Sequence, residues 1–120
     1  MKIAFRLLAG AALAAVMTVG AVEARPFTAK DMVTLDRVSD PRVSPDGRWV
    51  VYSLRTMDYD ANRASMSLWL IDLKAKDAKP TRLAASDGGA ASPRWAGDSK
   101  SIYFASGFAG GTDQVFRLDV

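Results

Sequence analysis

The chain has 120 residues, no cysteine and no histidine, and 16 basic against 13 acidic residues for a net charge of +3. That length suits one small domain. The two missing residue types exclude a disulfide framework, thiolate and imidazole metal sites, and any Ser-His-Asp or Cys-His catalytic set. The basic residues are scattered and never form the dense stripe that nucleic-acid binding uses, so no nucleic-acid partner is expected.

The chain opens with Lys2 and Arg6, then runs apolar or small without a charge from Leu7 to Val22. Val22-Glu23-Ala24 places small residues at the two positions a signal peptidase reads. This layout predicts a secretory signal peptide over residues 1–24, cleaved after Ala24. As a helix the apolar run would reach only about 24 Å, short of a bilayer core of about 30 Å, so no stable membrane anchor is expected. Loss of Lys2, Arg6 and Glu23 leaves a net charge of +2. The expected location is the periplasm or the exterior.

Residues 25–40 read as a lead-in. Thr28, with Asp31 three residues on, predicts a short helix whose first turn is capped reciprocally. Pro41 and Pro45 argue against helix from there on. Arg48 to Thr56 is strand language. Val50, Tyr52 and Leu54 share one face and Trp49 and Val51 the other. Both faces are apolar, which predicts a strand sandwiched between sheets. Ser67 to Leu73 predicts a second strand, and Lys79 to Ala84 a weaker edge strand because Pro80 cannot donate to a ladder. Ser86 to Ala91 is loop. Lys100 to Ser106 and Gln114 to Val120 repeat the two-strand theme.

The repetition is direct. With Pro41 aligned on Pro93, Arg42 falls on Arg94, Asp46 on Asp98, Val50 on Ile102 and Tyr52 on Phe104. After a loop shortened by about five residues, Leu68-Trp69-Leu70-Ile71-Asp72-Leu73 falls on Val115-Phe116-Arg117-Leu118-Asp119-Val120. A strand–turn–strand unit with a period of about 50 residues is the signature of a propeller blade. In the turn Ser44-Pro45-Asp46-Gly47, Pro45 presets φ, Asp46 bonds nearby backbone and Gly47 takes the positive φ. Its copy, Ala96-Gly97-Asp98-Ser99, lacks the proline and the closing glycine. A serine at positive φ costs about 1 kcal/mol, so that turn is expected to be remodelled.

The segment PRVSPDGRWVVYS followed by LWLIDL resembles a WD-like propeller repeat with a proline–serine–proline–aspartate–glycine core. That repeat occurs in the Tol-system propeller and in prolyl-oligopeptidase-family serine peptidases. The signal peptide followed by PFTAKDMVTLDRVSDPRVSPDGRWVVYSLR resembles the opening of secreted, acylaminoacyl-peptidase-like or dipeptidyl-peptidase-like members of that family. The resemblance covers residues 25–120. It implies an all-β fold: a partial propeller of about one and a half to two antiparallel blades, the first unit over 41–84 and the second over 93–120. It also implies that the rest of the propeller and an α/β-hydrolase domain with a G-x-S-x-G nucleophile lie beyond this chain. The propeller would then gate access of peptide substrates.

No G-x-S-x-G occurs in these residues. Gly97-Asp98-Ser99-Lys100-Ser101 lacks the closing glycine and sits between strands. No catalytic, cofactor-binding or metal-ligating residue is therefore assigned. Asp58-Tyr59-Asp60-Ala61-Asn62 opens like a calcium loop, but Arg63 and Trp69 stand where glycine and glutamate are needed, so it reads as a strand connection. Gly107 to Gly111 reads as a hairpin connection. Trp49, Trp69 and Trp95 read as inter-sheet packing, and Asp46, Asp72, Asp98 and Asp119 as turn formers and strand ends. The alternative function is a periplasmic Tol-type propeller that binds protein partners without enzyme activity. A third reading is a small protein that builds one propeller from several chains. Two units cannot close a ring, so the chain is expected to be a segment of a longer protein, unstable or self-associating when alone.

Overall fold

The computed structural model describes residues 24–83, 88–108 and 112–120. The expected leader falls outside them, apart from Ala24. After one short helix, α1 (Ala29–Thr34), the described chain is all β: β1 (Arg37–Val43), β2 (Trp49–Asp58), β3 (Arg63–Asp72), β4 (Thr81–Arg82), β5 (Ala91–Trp95), β6 (Ser101–Ser106) and β7 (Gln114–Asp119). These form two antiparallel sheets with strands in sequence order, β1-β2-β3-β4 and β5-β6-β7.

The helix forms where its cap directs. Thr28 Oγ1 accepts from the Asp31 amide at 3.2 Å, and Asp31 accepts from the Thr28 amide at 2.8 Å. Two free amides of the first turn are thereby satisfied. Arg25 clamps the same carboxylate through two nitrogens, each at 2.6 Å.

Two strands appear that the sequence did not announce, β1 and β5. Each carries a proline, and each is irregular at that proline. The β1–β2 register shifts between Ser39 and Arg42, and the β5–β6 register between Ala91 and Arg94. Pro41 and Pro93 thus sit in bulges, where the ladder does not require their missing N–H. The residue before each proline takes a positive φ, 48° at Asp40 and 56° at Ser92. The first sheet consequently begins at Arg37, inside the expected lead-in, and the second at Ala91. The long hairpin β2–β3 extends further than the expected strands on its turn side, to Asp58 and back from Arg63. Its turn is closed by Asp58, whose Oδ1 accepts from the Ala61 amide at 2.9 Å. Of the expected Lys79–Ala84 strand, the described residues form the two-residue edge strand β4, and Ala84 lies outside them.

The repeat holds in atomic detail. Arg42 opposes Val51 as Arg94 opposes Tyr103, and Val43 opposes Val50 as Trp95 opposes Ile102. The Ser44 amide donates to Trp49 O at 2.8 Å, and Ala96 to Ser101 O at 2.9 Å. Arg48 N reaches Asp46 Oδ1 at 3.0 Å, and Lys100 N reaches Asp98 Oδ1 at 2.9 Å. The expected remodelling of the second turn does not occur. Ser99 takes φ 59° where Gly47 takes 69°. What holds it there is a bond that glycine lacks: Ser99 Oγ accepts from the Asp46 amide of the first sheet at 3.0 Å.

Candidate interaction surfaces

Each sheet has two faces, and repeat position names them. In the first sheet the A face holds Trp49, Val51, Ser53, Leu68 and Leu70, and the B face Val43, Val50, Tyr52, Leu54, Trp69 and Ile71, as strand alternation and register require. In the second sheet the A positions are Tyr103, Ala105, Val115 and Arg117, and the B positions Trp95, Ile102, Phe104, Phe116 and Leu118.

The core lies between the A face of the first sheet and the B face of the second. Val51, Leu68, Leu70, Ile102 and Phe104 are buried in one cluster with Ala90. Trp49, Leu83, Trp95, Phe116 and Leu118 pack around it. Phe104 and Phe116 stack with centroids 6.0 Å apart, and Phe108 meets Phe116 edge-on at 6.1 Å.

The same repeat positions are open on the other side of each sheet. Leu68 is wholly buried, while its repeat equivalent Val115 is 75 % exposed. Val51 is wholly buried, and its equivalent Tyr103 is 42 % exposed. Trp95 packs on the core, and its equivalent Val43 is 58 % exposed. Among the described residues, the A face of the second sheet lies outside the core, with Val115 and Tyr103 exposed beside Arg117, as does the B face of the first sheet, with Val43 exposed and Val50, Tyr52, Leu54 and Trp69 half-buried.

Among the described residues, side-chain links cross the junction between the sheets. Asp40 gives one oxygen to Arg42 at 2.6 Å and the other to Arg94 at 2.7 Å. Trp95 Nε1 donates to Arg42 O at 2.9 Å. The Asp46–Ser99 bond is another. Arg94 first and then Arg42 hold the Asp40 carboxyl below the usual carboxylate range. The links tie β1 to β5 and one turn to the next, which fixes how far one sheet rotates on the other.

The other singled-out residues fall into structural places. Asp46 and Asp98 cap their turns. Asp72 takes Arg48 Nη2 at 2.9 Å and the Lys74 amide at 3.0 Å, and the Arg48 guanidinium lowers its pKa most. Asp119 accepts from Ser101 Oγ at 3.1 Å and pairs with Arg117. Trp49 and Trp95 pack on the core as expected. Trp69 does not; it lies on the open B face with its Nε1 donating to Ser67 Oγ at 3.0 Å. Among the described residues no three His, Cys, Asp or Glu side chains converge as a metal site. The cleft of about 230 Å³ at the end of the junction is lined by Met66, Gly88, Gly89, Ser106 and Asp113, among others. It pairs no nucleophile with a base: Ser106 Oγ is engaged by Gly89 O and the Phe108 amide.

An all-β chain whose antiparallel sheets stack A face on B face is a partial propeller. The structure is similar to the acylaminoacyl peptidase of Pyrococcus horikoshii, with a TM-score of 0.59 and 24 % identity, over 75 % of this chain and 13 % of that one. The sequence is similar to dipeptidyl-peptidase 5 of Porphyromonas gingivalis, 31 % identical over 84 residues, which is 70 % of this chain and 12 % of that protein. The chain thus spans about an eighth of the length of these relatives. No family model matches it.

Proposed function

We propose that this chain is the amino-terminal propeller segment of a secreted serine peptidase of the prolyl oligopeptidase family. In the whole protein, its blades gate access of peptides to a hydrolase domain encoded beyond these residues. The observation that carries the reading is the conjunction of two similarities, 31 % identity to a dipeptidyl-peptidase and a shared fold with an acylaminoacyl peptidase. Both fall on a short stretch of a much longer peptidase.

The physical role is selection by shape. These residues include no histidine to activate a serine, so this segment contributes walls. The bulged strands β1 and β5 sit side by side, held by Asp40 and Arg94. A wall whose sheets are cross-linked in this way keeps a fixed aperture, and an extended peptide passes where a folded chain does not. The leader directs the protein to the periplasm or beyond, with cleavage after Ala24.

The test is to read the coding sequence past Val120 and assay the encoded protein on dipeptidyl and acyl-aminoacyl p-nitroanilides. A G-x-S-x-G domain with a downstream Asp and His, and hydrolysis blocked by a fluorophosphonate, is the expected result. Further blades followed by a stop, with no hydrolysis, select the Tol-type binding module instead.

A further inference from the structure

We propose that Arg37 and Arg55 hold the terminal carboxylate of a peptide whose last side chain is small and apolar and seats in the cleft beside Met66. This deepens the peptidase reading and rests on it for the origin of the peptide. Arg37 on β1 and Arg55 on β2 are direct cross-strand partners, so their side chains leave the same face of the sheet. It is the A face, two residues along from Ser39 and Ser53. Arg55 is half-buried there and Arg37 is exposed. Like charges set directly opposite each other destabilise a strand pair. Among the described residues neither guanidinium has an ion pair or a hydrogen bond, although Asp36 adjoins Arg37 in the chain.

The chain shows elsewhere what two arginines of this kind do with a carboxylate. Asp40 stands between Arg42 and Arg94, with one oxygen at 2.6 Å from the first and the other at 2.7 Å from the second. Arg37 and Arg55 offer the same two guanidiniums to a carboxylate from outside, each in a planar fork that matches its oxygens. The third strand extends the row. Met66 on β3 is the cross-strand partner of Arg55, so Arg37, Arg55 and Met66 run side by side across the A face. Met66 borders the cleft of about 230 Å³, whose other walls include Gly89, Ala90 and Ala105. A carboxylate on the arginines turns the side chain of the same residue toward this cleft, and such walls suit alanine better than an aromatic ring. Asp113 on another wall opposes a second acidic group, while Arg63, beside the adjoining hollow, adds positive potential.

The test is isothermal titration calorimetry on the full-length protein encoded by this reading frame, treated first with a fluorophosphonate. The ligands are acetyl-Ala-Ala-Ala and its C-terminal amide. The free acid is expected to bind roughly tenfold tighter than the amide, with the margin shrinking as salt is added. Arg37→Gln and Arg55→Gln should each remove the margin and leave amide binding unchanged. Arg37→Glu gives Arg55 a carboxylate from within the protein, so it should remove the margin while keeping or raising the melting temperature. Acetyl-Ala-Ala-Phe should bind more weakly than acetyl-Ala-Ala-Ala. Equal binding of acid and amide overturns the proposal. So does a margin retained in either Gln variant, or a lower melting temperature for Arg37→Glu, which would show Arg37 already paired within the whole protein. Tighter binding of the Phe peptide overturns the assignment of the cleft. An amide ending in glutamate that binds as tightly as the free acid would assign the arginines to an acidic side chain and overturn the terminal carboxylate. Hydrolysis of the p-nitroanilides, which carry no terminal carboxylate, decides the peptidase reading separately.

Discussion

Leu68 and Val115 occupy the same place in the repeat, yet the structure assigns them opposite energetic weights. Leu68→Ala removes about three carbon groups from a fully buried site. At about 0.8 kcal/mol for each, transfer alone accounts for about 2.4 kcal/mol, and the residual cavity raises the total to about 3–4 kcal/mol. Val115→Ala removes two carbon groups that are already three-quarters hydrated, so the cost is about 0.4 kcal/mol. The gap of about 3 kcal/mol is roughly two orders of magnitude in the folded-to-unfolded ratio. Urea titration followed by tryptophan fluorescence at 1 µM, where association contributes little, measures both. If Leu68→Ala leaves too little stability for a transition, its loss of β-sheet circular dichroism beside an unaffected Val115→Ala reports the same asymmetry. Equal costs at the two sites, or a larger cost at Val115, would refute the assignment of the core to one A–B junction.

Other expectations follow from single groups. Ser53 Oγ is buried without a hydrogen-bond partner, and the repeat carries Ala105 in its place; Ser53→Ala should raise stability by about 1 kcal/mol, and a loss of that size in the urea midpoint would count against it. Ser99→Ala loses the bond to the Asp46 amide and keeps the positive φ, so it should cost about 1 kcal/mol, whereas Ser99→Gly relieves the backbone and should come out near neutral; the order of melting temperatures checks this. Gly47→Ala should cost about 1 kcal/mol from backbone strain alone, because a Cβ there meets nothing within 4 Å. Because Arg94 and Arg42 lower the pKa of Asp40, its contribution is present above the ordinary carboxylate pKa and is lost as pH falls through the lower, folded value. Melting temperatures of the wild type and Asp40→Asn should differ at neutral pH and converge in that acid range, and parallel curves would show that the carboxylate is not the link.

Local signals in the sequence determined much of this protein. Thr28 and Asp31 define the helix start because the cap involves only neighbours in the chain. The alternation around Val50–Leu54 and the run Leu68–Leu73 define the long hairpin, and the aligned Asp46 and Asp98 mark where each unit turns. The doubled phrase also determined the all-β class, since a unit apolar on both faces needs neighbours on both. The sequence did not announce β1 and β5, because proline in a strand is tolerated only in a bulge or at an edge, and a bulge is a property of pairing. It also missed the retained second turn, since the hydroxyl that holds Ser99 at positive φ finds its partner 53 residues away. No amount of local pattern distinguishes Leu68 from Val115, or Trp95 from Trp69. Their burial is decided by which face meets the other sheet, and only the stacking of one unit on the next makes that choice.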